Sequence, residues 1–357
     1  MLTRGIDVSF IVGDYGQPEI ERLDGITLIK SFTPMKGYRK LRFLPDMLAI
    51  RRAMTRADAD VYNQRSTAFF TGQLAFFAAR LGKTFTFSAG SDYNCYPDCG
   101  GTLPGPMAAL YRYGIRRASA VIAQTEKQRR LMEENFHRDI VLIRNGIPIP
   151  ESPLVLSPGH GTTPEGIGMK DGRPDFLWVG SLRRMKRAEL FIELARRVPE
   201  ARFTLIGGKF RDADYSREIV EAARATQNLR HIEFVPPGEI DSYYAAAYAL
   251  VNTSSLEGFP NTYLHAWVHG APVLTAEIDP DDLISRHSLG IVGGTFEGLV
   301  AAVRTLASDR ALRGAMSERA SAYVRAHHDI RERGNDYLKL FERLVATRAS
   351  SSSRRAG

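Results

Sequence analysis

Short β-branched and aromatic runs alternate with stretches whose apolar residues recur every three or four positions, from Val8 to Leu344. That alternation predicts parallel sheets wrapped by helices, an α/β fold. The first set of predicted strands is 7–12, 26–29, 60–63, 84–87, 120–123 and 141–143, with helices over 67–81 and 107–118. A second set starts at 176–179 and continues through 202–206, 231–234, 249–252, 272–274 and 290–292. Between the sets, Pro148, Pro150, Pro153, Pro158, Pro164 and Pro174 interrupt regular structure. The expected division is a doubly wound, Rossmann-like domain over 1–148, a Pro/Gly-rich linker over 149–174 and a second Rossmann-like domain over 175–325. Helix follows over 326–347, and 348–357 is a Ser/Arg tail expected to be disordered because it has nothing apolar to bury.

Length and composition fit that division: 357 residues, 44% hydrophobic and 25% charged, describe a two-domain globular chain rather than a disordered or fibrous one. No run reaches the roughly 18 apolar residues of a membrane span, and the opening residues lack a secretory pattern, so a cytoplasmic address is expected. The two cysteines, Cys95 and Cys99, make no disulfide framework, and no metal site is expected. Of the net charge of +8, much is local: seven basic residues lie between Lys36 and Arg56 against one acid, Asp46. Two readings stay open for this stretch. It is a solvated helix face whose buried side is Leu41, Phe43, Leu44, Met47, Leu48 and Ile50, or it contacts an anionic membrane at its inner face. Nucleic acid fits less well, because few aromatics interleave the charges.

In open α/β sheets ligands bind beyond the carboxyl ends of the strands, which directs the search for chemistry to the loops that follow them. After the strand at 249–252, Glu257-Gly258-Phe259-Pro260-Asn261 leads into a helix closed by Gly270. Free backbone N–H groups at such a helix start suit a diphosphate, and Glu257 can accept hydrogen bonds from sugar hydroxyls. After 176–179, Gly180-Ser181-Leu182-Arg183-Arg184-Met185-Lys186-Arg187 puts four cations at the start of a helix. There they oppose the helix dipole, so an anionic ligand is the favoured explanation over a solvated charge run. Gly207-Gly208 after 202–206 admits either a ligand or a close backbone.

These segments together resemble the retaining, metal-independent GT-B glycosyltransferases of glycosyltransferase family 4, bacterial polysaccharide type. The likeness rests on Val179-Gly180-Ser181-Leu182 with Lys186-Arg187, on 203–208, on 253–261, on Gly270-Ala271-Pro272-Val273, on Asp279-Pro280-Asp281 with Ser285-Arg286-His287, and on Gln124-Thr125-Glu126 and Asn145-Gly146-Ile147. It implies two Rossmann-like domains facing a cleft, the second holding a nucleotide diphosphate sugar and the first a glycan or lipid-linked acceptor, with no cofactor. It implies a hexosyltransferase-like reaction in which Glu257 is a catalytic residue at the donor sugar, Lys186 and Arg183 neutralise the diphosphate, and Gly180, Gly207, Gly258, Phe259, Pro260 and Asn261 hold the donor. The C-terminal helix is expected to pack back on the first domain.

Three departures qualify the resemblance. His265 stands where it implies a second glutamate contacting the ribose, and Ser181 where many members have an arginine that binds phosphate. A strand, glycine-rich loop and helix are expected before Arg4, so a leading βα unit of roughly 30 to 40 residues is expected to be missing, leaving sheet edges unpaired. In the first domain Asp92, after the strand at 84–87, is the catalytic-side candidate, with a turn or cap as its alternative. Arg65 is read as an acceptor contact or surface charge, Glu126 as a first-turn residue, Tyr243 and Tyr244 as helix packing, and His327-His328-Asp329 as a helix junction. The alternative function is a GT-B-shaped nucleotide-binding or scaffold protein impaired in catalysis. A metal-dependent GT-A transferase using Asp279-Pro280-Asp281 and a nicotinamide dehydrogenase fit the pattern less well.

Overall fold

The computed structural model describes residues 5–33, 43–66, 70–150, 172–208, 210 and 212–356. It forms two compact units, one of residues 1–144 with 333–357 and one of 145–332. Most of the Pro/Gly-rich linker, 151–171, lies outside the described residues.

In the first unit the strands β1 (Ser9–Val12), β2 (Ile20–Leu23) and β3 (Ile26–Lys30) form a sheet of order β1-β3-β2. A second sheet runs β4 (Val61–Arg65), β5 (Thr84–Ser88), β6 (Ala120–Ala123) and β7 (Val141–Leu142), all parallel. One doubly wound sheet is expected from the sequence; the described residues form two, with β1 and β4 each at an edge among them. The strand β2 is an addition. It pairs antiparallel with β3 through a two-residue turn, Asp24-Gly25, whose φ angles of 50° and 80° match the right-handed twist of a tight hairpin.

Helices Phe43–Ala57, Thr71–Arg80, Gly105–Arg117 and Glu126–Phe136 accompany these sheets. The face of Phe43–Ala57 that packs is Ile50, Ala53 and Met54, all buried. Leu44 and Leu48, expected on the buried side, are 63% and 44% exposed, which corrects that assignment. The reason is rotational: Ile50, Ala53, Met54 and Ala57 follow the three-and-four spacing of one stripe, and Leu44 and Leu48 fall with Arg51, Arg52 and Thr55 on the other side. Lys36, Arg39, Lys40, Leu41 and Arg42 lie outside the described residues. The C-terminal helix Ile330–Ala356 sets Leu340 against Ala120, Ile122 and Ile143, with Tyr337, Phe341 and Leu344 beside it. This helix runs on through the tail expected to be disordered. Adding residues to an existing helix costs no new nucleus, and the tail is rich in Ala, Ser and Arg, which allow it.

The second unit is one parallel six-stranded sheet of order β10-β9-β8-β11-β12-β13. Its strands are β8 (Asp175–Val179), β9 (Arg202–Ile206), β10 (Leu229–Ile232), β11 (Ala249–Asn252), β12 (Val273–Thr275) and β13 (Gly290–Val292). Strand order reverses between β8 and β11, so their carboxyl ends form the switch point where ligands of such sheets bind. The core divides on the sheet's two sides: Phe176, Phe191, Phe203 and Leu205 in one cluster, Leu177, Tyr244, Leu264 and Trp267 in the other.

Replacing Leu340 by Ala should lower unfolding free energy by about 2–4 kcal/mol through lost burial and a residual cavity. Leu44→Ala should change it by less than about 0.5 kcal/mol, as exposed positions do. Urea titrations of the two variants check both outcomes.

Candidate functional site

Both loops at the switch point come from buried strands and meet at Thr253. Its hydroxyl donates to the Lys186 carbonyl at 2.7 Å and accepts from the Trp178 indole N–H at 3.0 Å. Arg187, at φ 48°, reaches across the same gap: its Nε donates to the Thr253 carbonyl at 2.7 Å and its terminal nitrogen to the Ser254 carbonyl at 3.2 Å and to Glu277 at 2.8 Å. Ser255 N–H donates to the Met185 carbonyl at 2.9 Å. The β8 and β11 loops are thereby one bonded assembly before any ligand is considered.

Lys186 and Glu257, 71 residues apart, are brought together as an ion pair, and the Ser254 hydroxyl donates to the same Glu257 oxygen at 2.8 Å. Both side chains are mostly withdrawn from solvent, at 25% and 15% exposure. The neighbouring cations find partners too. Arg184 pairs with Asp212 at 2.8 Å, and the Arg183 guanidinium lies 3.8 Å from the centre of the Phe210 ring. The clash between a cationic helix start and its dipole is therefore met by protein carboxylates and a ring face, with Glu189 in the first turn of the Ala188–Arg197 helix.

Glycine at two of the predicted positions has a packing reason. A Cβ on Gly207 would sit 2.5 Å from the Gly180 carbonyl oxygen, and one on Gly180 would press on the Trp178 ring at 3.1 Å. These glycines let the β8 and β9 loops touch, the close-backbone alternative for Gly207. Pro260 precedes the Asn261–Val268 helix, and Gly270 at φ 71° follows it. Asn261 is exposed, and its Oδ1 accepts from Asn145 Nδ2 at 2.9 Å. Phe259 is turned inward: 6% exposed, it packs on Trp267 and His328, so its ring belongs to the core and only its backbone is at the loop. Gly258 is half-buried beside Glu257.

His265 lies one turn into the helix on the same side as Asn261. Its Nδ1 is 3.2 Å from Asp241 Oδ1, and its ring stacks on Tyr244 with centres 5.2 Å apart. Asp241 and the bond from Asn145 to Asn261 are what the sequence does not reveal, Asn145 being marked there only as part of Asn145-Gly146-Ile147. The His265/His269 pair at i, i+4 is a local signal for the first, while nothing local marks the second.

Asp92, in the first unit, occupies a 3-10 turn over Asp92–Cys95 and is 8% exposed. Its two oxygens bond Lys127 at 2.7 Å and Gln128 at 3.1 Å, tying the turn to the Glu126–Phe136 helix. Thr125 caps that helix through Gln128 N–H at 3.0 Å, with Glu126 in the first turn as expected. Tyr244 is buried packing, and His328, also buried, bonds the Asn145 carbonyl at 2.7 Å between two helices.

Thr253→Val should remove the acceptor for Trp178 and the donor to Lys186 while keeping the volume, costing about 1–3 kcal/mol of stability. Thermal and urea unfolding check it, and a loss under 0.5 kcal/mol, the size of a surface substitution, would show that the two loops do not depend on this hydroxyl.

Comparison with known proteins agrees with this layout. Residues 1–150 match the family described as Glycosyltransferase Family 4, and residues 173–309 match Glycosyl transferases group 1. The lipopolysaccharide core biosynthesis glycosyltransferase LpsD of Rhizobium meliloti is 28% identical over 227 residues, 61% of this chain and 62% of that protein. The chain spans less than two thirds of the length of the curated relatives it matches, 53% and 62%. Among solved structures, a sucrose-phosphate synthase from Thermosynechococcus elongatus superposes with a TM-score of 0.76 at 14% identity, covering 97% of this chain and 91% of that one. Anabaena HepE, solved in complex with UDP and glucose, gives 0.68 at 15% identity, covering 89% and 86%. The fold is that of the GT-B glycosyltransferases, and the chain belongs to their family, its first 150 residues to glycosyltransferase family 4 and its residues 173–309 to glycosyl transferases group 1.

Proposed function

We propose that the chain transfers a sugar from a nucleotide diphosphate sugar to a glycan or lipid-linked acceptor, with retention at the anomeric carbon and without a metal ion. The observation that carries this is the Lys186–Glu257 pair beside the start of the Asn261–Val268 helix. A diphosphate arriving there takes the ammonium from Glu257 and meets helix N–H groups. Glu257, released from Lys186, becomes an acceptor for hydroxyls of the donor sugar. The bond between the anomeric carbon and the diphosphate oxygen breaks, and the nucleoside diphosphate leaves with the electron pair. The acceptor oxygen bonds the anomeric carbon on the face that the diphosphate leaves, and its proton passes to an oxygen of the departing nucleoside diphosphate. Fixed cations, Lys186 with Arg183, and the helix start stabilise the departing charge, the role a metal ion would otherwise fill. Asp92 is proposed as an acceptor-side residue acting through the carboxylate it shares with Lys127 and Gln128. Two similar proteins support the reading: one is a glycosyltransferase of lipopolysaccharide core biosynthesis, and another was solved in complex with UDP and glucose.

The acceptor side gains support from the Phe43–Ala57 helix, where exposed Leu44 and Leu48 stand beside Arg51 and Arg52. Apolar side chains flanked by arginines suit the surface of an anionic bilayer, which would place a lipid-linked acceptor at hand. Among the described residues no helix is long and apolar enough to cross a membrane.

Lys186→Ala should weaken binding of UDP, GDP or ADP, whichever raises the melting temperature of the protein most, by at least about tenfold, the loss of one charge-assisted bond or more. Binding of the matching nucleoside should be unchanged; equal losses for both would remove the phosphate role. Separately, Leu44→Glu with Leu48→Glu should cut co-sedimentation with phosphatidylglycerol vesicles by about tenfold, while wild-type protein ignores phosphatidylcholine vesicles. Equal sedimentation of variant and wild type would sink the membrane contact.

A further inference from the structure

In the first unit, at the amino ends of β6 and β7, lies a cavity of about 840 Å³. Asp92 follows the carboxyl end of the parallel strand β5, so the cavity is at the other end of the sheet from it. Three arginines from different elements line the cavity. Arg116 is in the last turn of the Gly105–Arg117 helix, Arg138 follows the cap of the Glu126–Phe136 helix, and Arg343 is in the middle of the Ile330–Ala356 helix. Asp139 is the one carboxylate in the lining, and among the described residues no acid forms an ion pair with any of the three arginines. Arg138 is half-buried: one terminal nitrogen donates to the Ile115 carbonyl, and its buried Nε has no hydrogen-bond partner. Burial lowers its pKa, the mark of a charge withdrawn from water without a counter-ion to offset the loss. A helix C-terminus favours a cation, which accounts for Arg116, but Arg343 is far from either end of its helix. The rest of the wall is mostly apolar, with Ala120, Phe136, Val141 and Leu344 against a single hydroxyl, that of Ser119.

We propose that this cavity binds a phosphate monoester whose organic part is a hydrocarbon chain. Three guanidinium groups against one carboxylate leave an excess of two positive charges. A phosphate monoester brings about 1.5 to 2 negative charges at neutral pH and three acceptor oxygens, one for each guanidinium fork. A carboxylate or a phosphodiester brings a single charge. The apolar wall selects the other half of the ligand. A sugar or nucleoside would set its hydroxyls against Ala120, Val141 and Leu344 and lose hydrogen bonds to water, whereas methylene groups gain by leaving water there. A soluble alkyl phosphate and the headgroup of phosphatidic acid share this chemistry.

The test is titration calorimetry with hexyl phosphate, hexyl sulfate and inorganic phosphate at about pH 8, where the monoester carries both charges. The proteins are wild type, Arg116→Gln with Arg343→Gln, and Lys186→Ala, each shown folded by circular dichroism. Wild type should bind hexyl phosphate at least about tenfold more tightly than inorganic phosphate, the scale of two buried methylenes. It should bind hexyl sulfate, with the same chain and one charge, at least about tenfold more weakly than hexyl phosphate, the scale of one charge-assisted bond. The double arginine variant should lose at least about tenfold on hexyl phosphate, and Lys186→Ala should lose nothing. No binding of hexyl phosphate by wild type, equal binding of the sulfate, or an unchanged affinity in the double variant would each overturn the proposal. So would a loss confined to Lys186→Ala, which would put the ester at the second unit's loops instead. Phosphatidylcholine vesicles with and without phosphatidic acid separate the two sources. Retention that needs phosphatidic acid and falls in the double arginine variant supports the lipid headgroup; tight hexyl phosphate binding without such retention supports the soluble ester.

Discussion

Lys186 and Glu257 are each other's counter-ion and, on the function proposed above, the two groups that would meet the two ends of a sugar diphosphate. In the ligand-free chain each neutralises the other in a half-buried setting, where an isolated charge would be costly. Together with Asp212 against Arg184, the Phe210 ring against Arg183 and Glu189 in the first turn, that pairing offsets the charge of a cationic helix start. It also sets the terms of binding. A ligand cannot simply add to the site; it must supply an anion for the ammonium and hydrogen-bond donors for the carboxylate, and a nucleotide diphosphate sugar has both on neighbouring groups. A lone phosphate has only the first, so it would separate the pair and leave Glu257 without a cation.

The division of labour among the four cations follows from where their partners lie. Arg187 is spent on carbonyls of the β11 loop and on Glu277, and Arg184 on Asp212, so both hold structure. Lys186 faces a carboxylate that a ligand can replace, and Arg183 rests on the Phe210 face, a contact that leaves its N–H edge able to bond outward. A count of positive residues in this segment does not separate these roles. Partners on other elements do.

That contrast also explains how much was legible in the sequence. Strands that are buried on both faces, such as Ala120–Ala123, Arg202–Ile206 and Ala249–Asn252, lie where their sequence runs place them, because local composition and burial agree. The strand expected at 231–234 lies at Leu229–Ile232, since its register is fixed by pairing with Phe203–Ile206, a partner the local pattern cannot name. The β2–β3 hairpin was announced by Asp24-Gly25 between alternating residues, a signal that an expectation of parallel strands overrides. Leu44 and Leu48 read as core by type and proved exposed, because hydrophobicity gives a helix its stripe and tertiary contact decides which stripe is used. At the site, the loops were legible through Gly, Pro and charge, whereas Asp241, the bond from Asn145 to Asn261 and the buried bonds of Asp92 were not. Those contacts join residues 24, 116 and 35 or more positions apart.

The bonds around Thr253 give the site a rigidity that its charges alone would not. Electrostatic attraction between two side chains tolerates many geometries, but the Thr253 hydroxyl, the Arg187 fork and the Ser255 N–H each fix a direction. Behind them, the Gly180 carbonyl lies so close to Gly207 that a side chain there would collide with it, which holds the β8 and β9 loops in close backbone approach. Lys186 is thus delivered to Glu257 by the backbone rather than found by it. If a ligand draws the ammonium away, the loops have no reason to follow, and the binding groups meet it already in place, which lowers the ordering cost that association would otherwise carry. On the proposed function, the exchange of Glu257 for diphosphate would be a change of partner within a fixed frame.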